Sequence, residues 1–141
     1  MSATPAQFPY VAAASAHGAP ARMPLLPIKL RLREGEAVTA RGLLDSGSTV
    51  NVLPYALGLR VGANWEEQTT KVILTGALAA HEARALLLSG RVAEFEPVRL
   101  VFAWSRSENV PLLLGQVNFF EQFDVSFSGA RHRFEVVPAR R

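Results

Sequence analysis

The sequence predicts an all-β domain built on a closed, bent sheet with one short helix. Apolar and polar residues alternate with a period of two along several segments, which is typical of strands with one buried face. Glycine, proline or serine interrupts the apolar runs after a few residues, and only one segment has a helical pattern. The chain has 141 residues, and 49% of them are apolar, which suffices for the core of a single globular domain.

The beginning of the chain differs in composition from the rest. Residues 1–22 are rich in alanine, proline and serine, and Pro5 and Pro9 interrupt them. They lack the basic start of a secretory signal, so we interpret them as a mobile arm or a linker. The predicted domain then spans residues 23–141.

The first strong strand signal is an alternation of residue types. Ile28, Leu30 and Leu32 alternate with basic residues, so this segment is predicted to bury one face. A turn at 34–36 leads to a second predicted strand, 37–44, which becomes fully apolar toward its end. Such a strand is expected to run into the core.

Further strands are predicted downstream, separated by turn residues. They are 48–53, 69–75, 82–88, 98–104, 110–114, 124–127 and 132–137. Residues 55–67 are predicted to be irregular, 76–80 to form the small-residue tip of a hairpin, and Ser89–Gly90 to form a turn. The helix is predicted for 116–123, with Val117, Phe120 and Phe123 on one face.

Asp45 follows the apolar end of the second strand, in the sequence Leu43-Leu44-Asp45-Ser46-Gly47-Ser48. A purely structural turn has no need of such an apolar approach, so Asp45 is the candidate catalytic carboxylate. Peptide hydrolysis by carboxylates requires two of them, one ionised to activate water and one protonated. Because the chain contains a single turn of this kind, the second carboxylate is expected to come from another copy.

The segment around Asp45 resembles the active-site signature of retropepsin-type aspartic proteases, in which two apolar residues precede Asp-(Thr/Ser)-Gly-(Ala/Ser). Downstream, Val110-Pro111-Leu112-Leu113-Leu114-Gly115 before the predicted helix resembles the second signature of that family. The hairpin tipped by 76–80 lies, in chain order, where the family has its flap. The resemblance extends over 25–127 and is to single-domain members of the bacterial type.

This resemblance implies a homodimeric aspartic endopeptidase with a retropepsin-like acid-protease fold. It would hydrolyse extended peptide or protein substrates with no metal and no cofactor, and each subunit would contribute Asp45. The implied supporting residues of the active-site loop are Ser46, Gly47, Ser48, Leu114 and Gly115. Of these, Ser46 would provide a hydroxyl interlock between subunits. The implied flap residues near the substrate are Gly76, Ala77 and Leu78.

Composition disfavours several other classes of function. The chain has no cysteine, which excludes disulfides and thiolate chemistry and fits a cytoplasmic protein. The three histidines lack metal-ligand spacing. The net charge of +3 comes mostly from scattered arginines without interleaved aromatic residues, so nucleic acid is not expected as a partner. No run reaches the ~18 apolar residues of a membrane span.

Two alternatives stay open at this point. The chain could have the same fold without activity and serve as a binding or dimerisation module, or it could be a structural β-barrel that scaffolds a larger protein. A membrane anchor upstream of residue 1 is a further open alternative for its localisation.

Overall fold

The chain forms a closed six-stranded β-barrel in the computed structural model, which describes residues 3–14 and 20–140. In chain order the strands are β1 (Ala6–Pro9), β2 (Val11–Ala14), β3 (Pro20–Met23), β4 (Leu25–Arg31), β5 (Val38–Leu44), β6 (Asn51–Leu53), β7 (Lys71–Val72), β8 (Ala83–Arg91), β9 (Val98–Ser105), β10 (Leu113–Leu114), β11 (Phe123–Ser128) and β12 (Arg133–Pro138). The α-helices described are α1 (Tyr55–Arg60) and α2 (Phe119–Gln122), and single 3₁₀ turns lie at Trp65–Glu67, Gly76–Leu78 and Gly129–Arg131. The predicted all-β class is confirmed.

The barrel strands pair in the order β4-β5-β10-β6-β9-β8, and the end of β8 returns to β4 to close the sheet. The predicted alternation in β4 is confirmed, because Leu26, Ile28 and Leu30 are buried while Lys29 and Arg31 are exposed. The side chains of Leu26, Ile28 and Leu30 contribute to the main apolar core inside the barrel. Strand β7 extends the sheet by pairing with the beginning of β8.

Strand β10 is inserted between β5 and β6, although the chain reaches it much later. It runs parallel to β5, with Leu114 beside Leu44, and antiparallel to β6, with Leu113 beside Val52. The loop that connects β5 to β6 therefore passes over the end of β10. This arrangement determines the geometry of the loop that begins at Asp45.

A second, smaller apolar cluster lies apart from the main core. Its buried members are Val52, Leu74, Ala83, Ala103, Val110 and Leu113. Half-buried side chains that pack against it come from Leu43, Val50, Val72 and Leu78. The cluster therefore joins the β7–β8 hairpin to the strands on either side of the Asp45 loop.

The N-terminal segment contributes strands of its own. Strand β1 pairs with β12 in a three-stranded sheet, β1-β12-β11, and the Phe8 ring stacks on the buried Phe134 ring at 5.4 Å. Strands β2 and β3 form a separate two-stranded ribbon. Residues 6–9, 11–14 and 20–22 thus lie in paired strands, and the interpretation of 1–22 as an arm or a linker stays a prediction. The division of the chain at residue 23 stays a prediction.

The prediction that 55–67 is irregular is wrong, because α1 and a 3₁₀ turn lie within it. The misleading residue is Gly58, which lowers the helical propensity of the segment. In the structure the Trp104 indole packs directly over Gly58, and a Cβ at that position would overlap the ring. Tertiary packing therefore requires the glycine that made the helix unpredictable from the local sequence.

The predicted helix over 116–123 is too long, and the expectation of a single helix is wrong. Only α2, Phe119–Gln122, is helical. The backbone of Val117 instead forms hydrogen bonds with the segment that follows Asp45. Its N–H donates to the Thr49 carbonyl at 2.9 Å, and its carbonyl accepts from the Asn51 backbone N–H at 3.0 Å. Its side chain is 47% exposed rather than packed on the buried face.

Several predicted strand limits also change. Strands β6, β7 and β10 are shorter than the predicted segments 48–53, 69–75 and 110–114. The turn predicted at Ser89–Gly90 is wrong, because β8 continues through it to Arg91. Gly90 pairs with Leu30 on one side and with Val98 on the other, so it lies where the barrel closes.

Candidate active site

A cleft of about 490 Å³ opens between the loop after β5 and the β7–β8 hairpin. Its lining is mostly apolar or small. The lining residues are Leu43, Asp45, Gly47, Ser48, Thr49, Val50, Val52, Ile73, Leu74, Thr75, Gly76, Leu78, Pro111 and Leu113. The single ionisable side chain among them is that of Asp45. The sequence-predicted Asp45, Gly47, Ser48, Gly76 and Leu78 thus line one cleft.

Asp45 occupies the first position after β5 and is held there by its backbone. Its N–H donates to the carbonyl of Leu114 at 3.0 Å, and its own carbonyl accepts from the Ser48 N–H at 3.0 Å. The carboxylate is half-buried, and its Oδ1 accepts from the Gly47 N–H at 3.0 Å. Within the described residues Oδ2 has no hydrogen-bond donor, so this oxygen is free to act on a bound molecule.

The loop rests on the segment that follows β10. Gly115 approaches the Val50 and Ser48 carbonyl oxygens so closely that a Cβ would collide with the first and lie 2.7 Å from the second. The Gln116 N–H donates to the Ser48 carbonyl at 2.9 Å, and its side-chain amide donates to the Ser46 carbonyl at 2.8 Å. Leu114 and Gly115 therefore lie directly behind the loop.

Sequence reasoning missed Gln116 and two further amides, Asn51 and Asn118. Asn51 is fully buried. Its Oδ1 accepts from the Gly115 N–H at 2.8 Å, and its Nδ2 donates to the Val101 carbonyl at 3.0 Å and to Asn118 Oδ1 at 3.1 Å. An asparagine within an apolar strand such as β6 is unusual, and this is the one sequence signal by which Asn51 could have been found.

The β7–β8 hairpin borders the cleft on the side opposite the loop. Gly76 has a left-handed backbone (φ 66°) at the start of the 3₁₀ turn that also contains Ala77 and Leu78. Leu74 is buried in the smaller cluster, whereas Ile73 is 92% exposed although it lines the cleft. Ile73 is a cleft residue that the sequence did not single out.

Neither Ser46 nor Asp124, the second aspartate of the chain, lines the cleft. Ser46 is exposed, and its hydroxyl forms no hydrogen bond with any described residue. Asp124 is exposed on β11 and does not line the cleft. His17 lies outside the described residues.

No three His, Asp or Glu side chains of the described ranges gather as metal ligands. Residues 3–14 and 20–140 contain no helix of the length and apolar character that crossing a membrane requires.

Comparison with known proteins supports the fold. No protein-family model matches the chain, and no curated protein sequence matches it significantly. Among solved structures, the chain is similar to a retropepsin-like aspartic protease from Rickettsia conorii, with a TM-score of 0.63. The match covers 96% of this chain and 92% of the other at 13% sequence identity. The chain therefore has the retropepsin-like acid-protease fold.

Proposed function

We propose that the protein is an aspartic endopeptidase that acts as a homodimer. The observation that carries the proposal is the half-buried Asp45 carboxylate in an apolar cleft, with Oδ1 bound to the Gly47 N–H and Oδ2 unbound within the described chain. An apolar surround with one oriented carboxylate suits general acid-base chemistry on a bound peptide. The retropepsin-like fold supports the same reaction class.

The dimer follows from the chemistry. A single cleft carboxylate cannot be ionised to activate the water and, at the same moment, protonated to polarise the peptide carbonyl. Two Asp45 carboxylates within hydrogen-bond distance across a two-fold axis would share one proton, because two negative charges that close are not both stable. The exposed Ser46, whose hydroxyl has no hydrogen bond to the described residues, supports an approach of the two loops.

In the proposed reaction a water molecule lies between the two Asp45 side chains. The ionised carboxylate removes a proton from the water as it attacks the peptide carbonyl carbon, and the protonated one donates to the carbonyl oxygen. As the resulting gem-diol collapses and the C–N bond breaks, the carboxyl that took the proton from water donates it to the nitrogen. The other carboxylate takes a hydroxyl proton from the gem-diol, which leaves a carboxylic acid and an amine and restores the starting protonation of the pair. The substrate lies extended in the cleft, between the Asp45 loop and Ile73. The β7–β8 hairpin, which carries Ile73, would act as a flap.

The test compares the wild type with Asp45→Asn, which retains the oxygen that accepts from the Gly47 N–H. Both are incubated with a mixed-peptide library from about pH 4 to 7, and cleavage is followed by mass spectrometry. We expect cleavage by the wild type alone, together with a dimer in sedimentation equilibrium. Equal absence of cleavage would favour an inactive binding or dimerisation module of the same fold. A strict monomer at micromolar concentration would contradict the proposed mechanism.

A further inference from the structure

The buried amide of Asn51 and the half-buried amide of Asn118 lie behind the Asp45 loop and have a more specific task than filling the barrel wall. Asn51 and Ser105 are the buried polar side chains found in the described residues, and Asn51 is 0% exposed. Burial of an amide in an apolar strand is unfavourable unless every polar atom is hydrogen-bonded. The Asn51 amide meets this requirement, with its oxygen bound to Gly115 and its nitrogen bound to Val101 and Asn118.

The bond between Asn51 and Gly115 acts on the peptide group that holds Asp45. The Leu114 carbonyl and the Gly115 N–H belong to one planar peptide unit. The carbonyl accepts from the Asp45 N–H at 3.0 Å, and the N–H donates to Asn51 Oδ1 at 2.8 Å. Rotation of this peptide plane would break both hydrogen bonds together. Asn51 therefore fixes the orientation of the group that anchors the Asp45 backbone.

Asn118 determines which way the Asn51 amide faces. Asn118 Oδ1 accepts from Asn51 Nδ2 at 3.1 Å and from the Val101 N–H at 3.0 Å. Asn118 Nδ2 in turn donates to the Arg99 carbonyl at 2.8 Å. With the Asn51 nitrogen held by these acceptors, its oxygen is directed to the Gly115 N–H. A flipped amide would bring two donors together at Gly115 and two acceptors together at Asn118.

We propose that Asn51 and Asn118 are positioning residues for Asp45, which hold the Leu114–Gly115 peptide in the orientation that fixes the carboxylate in the cleft. This inference rests on the proposed function for its catalytic consequence. Its structural part, the restraint of the Asp45 backbone, is measurable without substrate. Small displacements of a catalytic group lower the rate steeply, so loss of the restraint should appear in kcat rather than in KM.

The experiment uses Asn51→Leu, which has a similar volume and no hydrogen-bonding group, and Asn51→Thr, whose hydroxyl can still accept from the Gly115 N–H. The control is Leu30→Ala. Leu30 is a buried residue of β4 that pairs with Val38, the first residue of β5, whereas Asp45 follows the last residue of β5. Denaturant is adjusted so that the variants have equal free energies of unfolding. Amide hydrogen exchange at Asp45 and the values of kcat and KM are then measured.

For Asn51→Leu we expect the Asp45 amide to exchange about tenfold faster than in the control, and kcat to fall about 10- to 100-fold with KM within about threefold. Asn51→Thr should recover part of the protection of the Asp45 amide and part of the lost kcat. Exchange and kcat equal to those of Leu30→Ala would overturn the inference.

If Asn51→Leu does not fold, Asn118→Ala is measured against the same control. Exchange and kcat equal to those of Leu30→Ala would then overturn the inference. If the wild type cleaves no peptide, the proposed function fails. The exchange rates alone then decide whether the amide pair restrains Asp45.

Discussion

Gly115 lies so close to the carbonyl oxygen of Val50 that no side chain fits between them. This contact allows the end of β10 to pass directly beneath the loop that follows Asp45. The loop backbone is bonded to the same segment, since the Gln116 and Val117 N–H groups donate to Ser48 and Thr49 at 2.9 Å each. The position of Asp45 therefore depends on a glycine far from it in the sequence.

Gly115→Ala is expected to destabilise the protein by about 3 kcal/mol, because the added methyl group collides with rigid backbone rather than with a flexible side chain. Urea unfolding followed by circular dichroism measures the change. Gly129→Ala is the matched control, since a Cβ there meets nothing within 4 Å. Its free energy of unfolding should stay within about 0.5 kcal/mol of wild type. Similar stabilities for the two variants would contradict the close approach at Gly115.

Mixing of wild type with Asp45→Asn tests whether both carboxylates of a dimer are required. If subunits exchange freely, an equimolar mixture contains about a quarter wild-type dimers by random pairing. Activity per total protein should therefore fall to about a quarter of the all-wild-type value rather than to half. The rate of peptide cleavage after equilibration measures this. A linear decrease with the fraction of wild type would mean that each subunit works alone.

Ile73→Ser should weaken substrate binding. Ile73 is 92% exposed at the edge of the cleft, and a peptide bound beneath the hairpin would cover it. Loss of that burial corresponds to about 1.5 kcal/mol or more, so KM should rise about tenfold. Leu87→Ser is the control, because Leu87 is 45% exposed and does not line the cleft. Equal KM values for the two variants would exclude contact between Ile73 and the substrate.

The two tryptophans should respond differently to replacement by phenylalanine. Trp104 Nε1 donates to the Tyr55 carbonyl at 3.1 Å, whereas the buried Trp65 Nε1 has no hydrogen-bond partner within the described chain. The two rings are in contact at 5.1 Å and are similarly buried. We therefore expect Trp104→Phe to cost about 1 kcal/mol more than Trp65→Phe in chemical unfolding. An equal or reversed order would contradict this hydrogen-bond assignment.

The sequence correctly predicted the features that local patterns carry. Alternation in β4 identified the buried face of Ile28 and Leu30, and the apolar run before Asp45 identified a strand that ends at the site. Each of these signals lies within a few consecutive residues, because strand periodicity and turn chemistry are local properties.

Local patterns gave wrong predictions at two glycines that are in contact with residues distant in the sequence. Gly58 suggested an irregular segment, but it is the point where the Trp104 ring packs on α1. Gly90 suggested a turn, but it lies within β8 where the barrel closes. In both cases the glycine makes room for a partner that the neighbouring sequence does not reveal.

The sequence by itself determined the all-β class and the apolar strand that ends beside Asp45. Only the tertiary structure decided that Asn51 holds the Gly115 N–H, a hydrogen bond between residues 64 positions apart. It also decided that this bond and the one to Asp45 share a single peptide group. Such pairings follow from the closure of the barrel around β10, and closure is a property of the whole sheet rather than of any of its strands.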